Sequence, residues 1–214
     1  MSRLRRFYYD IFSNFYDLII RLHSKDDGSA LRDFLIKKSG MGPGDRVLDI
    51  CTGTGAVAVA AHKHVVPGGM VIGLDFSYGM LSKARQKARA NRLSRLCLVV
   101  GDVGNMPFKH DVFQCVTCSH AMYELKPAVR MKALQEICRI LQKKHRFFMM
   151  EHCKPRNPFI KFLYYVRLMS MGSPENRNFA KDEIPVMKLF LKDVKKELSP
   201  TGKSKLISGM KCSE

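Results

Sequence analysis

From residue 45 onward, short apolar runs alternate with longer stretches whose apolar positions recur at helical spacing. Extended segments are expected at 45–50, 70–75, 96–100, 112–118 and 146–150. Helices are expected at 54–65, from Tyr78 to Asn91 and at 127–141, with Pro67-Gly68-Gly69 as a turn. Upstream, Leu31 to Lys38 reads as a helix stopped by Ser39-Gly40-Met41-Gly42-Pro43-Gly44. Downstream, 193–199 and 205–210 flank a Pro200-Thr201-Gly202 turn and form a hairpin. Strands that alternate with helices imply a doubly wound α/β fold, a mainly parallel sheet covered on both faces. One domain is expected over 1–214. Residues 1–44 form an N-terminal helical lid or substrate region, 45–155 a ligand-binding core, and 156–214 an acceptor-pocket insertion followed by the hairpin.

The first strand runs into Asp49-Ile50-Cys51-Thr52-Gly53-Thr54-Gly55. Glycines between a strand and a helix let the backbone approach a ligand closely, and the helix N-terminus beyond offers N–H groups. Gly53-x-Gly55-x-x-Ala58 fits the dinucleotide pattern, with Asp75 at a suitable distance. Asp49 opposes that reading, because a carboxylate at the strand end repels a pyrophosphate. S-adenosyl-L-methionine (SAM) carries a sulfonium and an amino group and no phosphate, so the acidic strand end favours it.

Composition narrows the partners. The chain has 214 residues, 37 Lys and Arg against 19 acids, and a net charge of +18. That balance suits an anionic partner, such as a membrane surface, a nucleic acid or an acidic substrate, and serves solubility equally well. No apolar run reaches membrane-spanning length and no signal peptide is visible, so a cytoplasmic protein is expected. The seven cysteines form no secreted-type framework. Cys115 and Cys118 lie three apart in a strand and point to opposite faces, so they neither chelate nor bridge. No metal site is expected.

Polar residues collect at the carboxyl ends of the expected strands, where ligands bind in such sheets. Asp75 ends the second strand, where a carboxylate can take both ribose hydroxyls. Gly101-Asp102-Val103 follows the third, and Ser119-His120 the fourth. With Val47–Gly55, Gly73–Leu81, Gly101–Phe108, Phe113–Ser119, Arg139-Ile140-Leu141 and Met150–Pro155, the chain resembles class I SAM-dependent methyltransferases. Within them it is similar to the ubiquinone/menaquinone biosynthesis C-methyltransferase family. The resemblance covers residues 8 to 155. It implies a Rossmann-like seven-stranded sheet in the order 3-2-1-4-5-7-6 with the last strand antiparallel, and a transferase that uses SAM. It places SAM on Thr54, Asp75, Asp102, Val103 and Ser119, and the loop residues Asp49, Cys51, Gly53 and Gly55, with Phe76 and Met80, are expected to border the same ligand. Three departures stand out. Cys51 replaces the first glycine of the general motif, Lys143-Lys144-His145 replaces the usual Pro-Gly-Gly turn, and the chain has no tryptophan.

Methyl transfer to a quinol or phenol gains from a base near the acceptor hydroxyl. His120 is the first candidate, because it follows the fourth strand, with Tyr16, Glu124, Tyr123 and His152 as others. A histidine that only packs or binds substrate is an equal reading of His120. The aromatic and aliphatic stretch 158–169 suits a lipophilic acceptor, and the basic, aromatic stretch 3–22 suits peripheral contact with an anionic membrane. Both stretches read equally as helices packed on the core.

Other functions stay open: a methyltransferase acting on another lipid or natural product, a nucleic-acid methyltransferase, and a non-catalytic SAM- or NAD-binding module. The nucleic-acid reading rests on Lys83, Arg85, Lys87, Arg89, Arg92 and Arg95. It lacks a Pro-Pro-Tyr-type motif after the fourth strand and any Pro-Cys pair.

Overall fold

The computed structural model describes residues 29–153 and 182–212. Residues 1–28 of the expected N-terminal region, with Tyr16, and the stretch 158–169 lie outside them. The described helices are α1 (Ser29–Ser39), α2 (Ala56–Val65), α3 (Tyr78–Ala90), α4 (Pro127–Ile140) and the short α5 (Ile184–Lys188). The strands are β1 (Arg46–Ile50), β2 (Met70–Asp75), β3 (Leu96–Val100), β4 (Phe113–Ser119), β5 (Leu141–His152), β6 (Leu191–Leu198) and β7 (Ser204–Lys211). They form one sheet in the order β3-β2-β1-β4-β5-β7-β6. β1 to β5 are parallel to one another, and β7 runs antiparallel to both β5 and β6.

Two apolar layers hold the sheet. On one face, Leu35 and Ile36 of α1 and Val57, Ala58, Ala61 and Val65 of α2 pack on Val47, Val71, Cys115, Phe148 and Met150. On the other, Leu134, Ile137 and Ile140 of α4 and Met187 of α5 pack on Leu48, Ile50, Val116, Cys118, Phe147 and Met149. The strands thus alternate between layers residue by residue, as a pleated sheet buried on both faces must. Cys115 and Cys118 fall in opposite layers, as their spacing in a strand requires.

Element ends differ from expectation by a few residues, except at β5. That strand begins at Leu141, directly after α4, rather than at 146. Leu141 pairs with Phe113, and the register then shifts before Cys115 pairs with Arg146. The polar run Gln142-Lys143-Lys144-His145, with Lys144 at φ 66°, is absorbed in this irregularity, so no turn separates helix from strand.

Candidate active site

Strand order reverses between β1 and β4, which opens a crevice at their carboxyl ends. Both strands leave the sheet through a non-glycine residue in the left-handed region, Cys51 at φ 52° and His120 at φ 54°. A side chain there costs about 1 kcal/mol or more, and such strain concentrates at functional sites. It also explains why glycine is the usual residue at position 51. The Cys51 thiol meets that of Cys118, and this contact, with burial, pushes Cys118 well above the ordinary thiol range.

Asp49 is buried beneath the loop rather than facing the crevice. It lies level with Thr117 on β4, so the Thr117 hydroxyl donates to Oδ1 at 2.7 Å, while the Thr52 hydroxyl donates to Oδ2 at 2.6 Å. The Ala58 N–H at the start of α2 also donates to it. Burial nonetheless raises its pKa to about 6, with the nearby Asp75 adding to the rise against these donors. Asp49 therefore ties the loop to β4 and places a titratable carboxyl under the crevice. Gly73, its neighbour on β2, leaves the room that Thr52 occupies: a Cβ there would lie 3.0 Å from Thr52 Cγ2.

Asp75, at the end of β2, accepts the Gly53 N–H on Oδ2 and the Ser77 N–H on Oδ1, each at 2.9 Å. It binds the glycine loop and the start of α3 into one rim. Ser77 caps α3 by accepting the Met80 N–H at 3.2 Å. Phe76 is half-buried beside this rim, and the Met80 side chain is buried. Thr54 is buried as well, and its hydroxyl accepts from Lys87 Nζ at 2.9 Å. Lys87 thus turns inward onto the loop, whereas Arg85, Arg89, Arg92 and Arg95 are exposed. The basic run is one loop-holding lysine and a surface row, not a single face.

After β3, Asp102 Oδ1 accepts the Gly104 N–H at 2.9 Å and its carbonyl accepts the Asn105 N–H at 3.0 Å, with Val103 buried. Two residues to which the sequence reading gave no site role pin this turn from α4. Glu136 accepts the Met106 N–H at 2.6 Å, and Arg139 donates to the Phe108 carbonyl at 2.7 Å and the Met106 carbonyl at 3.0 Å. Their i,i+3 opposite charges on α4 were the available signal.

Ser119 and His120 stand on the far side of the crevice. His120 Nδ1 is 2.9 Å from Ser119 Oγ, and Nε2 is 3.2 Å from Ser204 Oγ at the start of β7. The His152 ring stacks on it with centroids 4.1 Å apart, and Tyr123 meets His152 edge-on at 6.3 Å. The Tyr123 hydroxyl donates to Glu124 at 2.9 Å. Buried Arg130 carries this turn, donating to the carbonyls of Met122 at 3.0 Å and Leu125 at 2.8 Å. The structure therefore brings His120, His152, Tyr123 and Glu124 together. Behind them lies a buried charged group that the sequence reading passed over: Glu151 at the end of β5, with Glu183 ion-paired to Lys205. The signal was a glutamate closing the otherwise apolar run Phe147-Phe148-Met149-Met150.

The family model for the ubiE/COQ5 methyltransferase family matches residues 3–183. The chain belongs to that family. It is 35% identical over 147 residues to a demethylmenaquinone methyltransferase of Lactobacillus johnsonii, covering 68% of this chain and 59% of that protein. It is 30% identical over 170 residues to a demethylmenaquinone methyltransferase of Shouchella clausii, covering 77% of this chain and 72% of that one. The chain thus spans less than two thirds of the length of the first of these relatives. Its fold matches the crystal structure of a SAM-dependent methyltransferase from Aquifex aeolicus, with TM-score 0.70, 18% identity, and coverage of 90% of this chain and 97% of that one. The sheet order expected from the resemblance is the order observed.

Proposed function

We propose that the protein is a SAM-dependent methyltransferase acting on a small lipophilic acceptor, a reduced quinone or phenol of the kind used in quinone biosynthesis. The observation that carries this is the acidic rim of the crevice at the β1–β4 switch point. Asp75 ties together the glycine loop and α3, and the buried Asp49 lies beneath them. That rim suits a ribose and a cationic sulfonium, and repels a pyrophosphate. Kinship with demethylmenaquinone methyltransferases supports the acceptor class.

SAM would lie over Gly53 and Gly55, with its ribose at Asp75 and its adenine near Phe76, Asp102 and Val103. Ser119 would border the sulfonium, and Cys51 the loop beneath it. In this reading Thr54 and Met80 act from below, Thr54 by seating Lys87 and Met80 by packing. The sulfonium methyl is already electrophilic, so the protein's task is to align the acceptor and exclude water, which is worth ~7–11 kcal/mol. His120, held by a serine at each ring nitrogen, would set the acceptor against the sulfonium, with Tyr123 and Glu124 beside it. Tyr16, the N-terminal region and the stretch 158–169 are proposed to complete the acceptor pocket. A cytoplasmic location with peripheral contact to an anionic membrane suits such an acceptor and the net charge of +18. No helix among the described residues is long and apolar enough to cross a membrane.

Titration calorimetry tests the cofactor. Heat with SAM and none with NAD is expected, and the reverse would point to a dinucleotide-binding module.

A further inference from the structure

The net charge of +18 is not spread evenly along the chain. Residues 50–101 carry seven Lys and Arg and a single acid, Asp75, which is buried in the rim of the crevice. This stretch supplies α2, α3 and β3, and β3 is one edge of the sheet. Lys87 turns inward, so the cations that remain outside at that edge are Arg85, Arg89, Arg92 and Arg95.

Three of these arginines share one cavity. Arg85 and Arg89 lie one helical turn apart on α3, and Arg92 follows the helix end. With the partly buried Leu93, Leu96 and Leu98 they line a cavity of about 410 Å³ against the β3 edge. Leu96 and Leu98 are two apart on the strand and so share one of its faces. None of the three guanidinium groups meets an acidic side chain among the described residues. Arg92 has φ 51°, in the helix-ending conformation that glycine usually supplies, so its side chain is kept there against a steric cost. Three like charges gathered around leucines without a counter-charge call for an anion from outside.

The lining selects the kind of anion. Guanidinium groups take phosphate oxygens in bidentate fashion. A nucleic-acid strand binds such a groove by stacking its bases on aromatic side chains, and among the described residues none lines this one. An aliphatic floor beside cations instead suits a lipid headgroup and the first carbons of its chains. We propose that this groove seats the headgroup of an anionic phospholipid and docks the β3 edge on a membrane surface. The groove gives membrane contact a place and a lipid class, which the net charge alone does not, and it stands independently of the methyltransferase reading. It lies at the end of α3 and along β3 from its first residue, whereas the crevice opens at the carboxyl ends of β1 and β4. Lipid and SAM therefore bind without competing.

The test is co-sedimentation of the full chain with vesicles of phosphatidylcholine and phosphatidylglycerol at 0.1 M salt, without SAM. An arginine held at an anionic surface contributes about fivefold in partitioning. Arg85→Ser, Arg89→Ser and Arg92→Ser together should therefore weaken vesicle binding about 100-fold, with SAM affinity within about threefold of wild type. The control loses the same charge from β6, the opposite sheet edge, as Lys192→Ser, Lys195→Ser and Lys196→Ser. Six strand spacings of about 4.8 Å put it roughly 29 Å away, beyond a screening length of about 10 Å, so its binding should stay within about threefold of wild type. Equal loss in the two triple variants, or less than about fivefold loss in the arginine variant, overturns the assignment. Should the arginine triple fail to fold, Arg89→Ser alone should cost about fivefold, and an unchanged affinity overturns the assignment. A single-stranded oligonucleotide that binds the wild type more tightly than the vesicles, and loses that advantage in the arginine variant, overturns it in favour of a nucleic acid. Wild-type protein that ignores the anionic vesicles refutes the groove and the membrane contact together, while its SAM heat separately decides the methyltransferase reading.

Discussion

Replacing Asp49 with Asn should stabilise the ligand-free protein at pH 8 relative to its effect at pH 4. Asp49 is buried, and its pKa rises from 3.8 to about 6 on folding. The folded state therefore holds the proton more tightly than the unfolded chain. The stability linked to that proton is complete below 3.8 and is lost as pH rises through about 6. A rise of that size is worth about 3 kcal/mol at 1.36 kcal/mol per pKa unit. Asn stands in for the protonated acid: its carbonyl can take the Ala58 N–H, and the Thr52 and Thr117 hydroxyls can turn to suit it. The free-energy difference between variant and wild type should therefore move by about 2–3 kcal/mol in favour of the variant between pH 4 and pH 8. Urea unfolding at the two pH values reads this directly, since other titrating groups cancel in the difference. A difference that stays constant, or moves the other way, refutes the argument. The same substitution should weaken SAM, because the negative potential beneath the sulfonium disappears. A protein that carries an ionised Asp49 at this cost and gains nothing on SAM binding would contradict the role given to it.

Three further outcomes follow from particular contacts. Gly55→Ala places a Cβ 2.8 Å from Ala84 Cβ at φ 78°, and should destabilise the protein by roughly 2–3 kcal/mol in denaturant unfolding. Arg130→Met strips the donors from the Met122 and Leu125 carbonyls, and should cost about 2–4 kcal/mol of stability. It should also lower kcat while SAM affinity holds, because the turn it carries lies on the acceptor side. His120→Ala should raise KM for the acceptor. An unchanged KM would refute the positioning role given to His120.

The sheet was legible because its signals are local. Apolar runs of strand length, turn glycines and the alternation with helices suffice to lay out β1 to β5, and the resemblance supplied the strand order. The polar strand ends were legible because Asp75 and Ser119 close β2 and β4 and Asp102 lies two residues beyond β3. What was not legible depends on neighbours distant in sequence. The burial of Asp49 under Thr52 and Thr117 is decided by the register of β1 on β4. The inward turn of Lys87 depends on Thr54 lying 33 residues away. The Glu151–Glu183–Lys205 group draws on β5, the approach to α5 and β7, which no single window of the chain contains. β5 itself ran longer than expected because a run of three lysine and histidine residues reads as a turn, while the structure tolerates it in a strand irregularity.

The central claim is that this crevice transfers a methyl group from SAM to a lipophilic quinol. Incubation of the full chain with SAM and a reduced short-chain demethylmenaquinone, followed by mass spectrometry, tests it most directly. The account predicts a gain of one methyl in place of one hydrogen on the acceptor, with stoichiometric loss of SAM. An acceptor of unchanged mass, in a protein that binds NAD and not SAM, would contradict it.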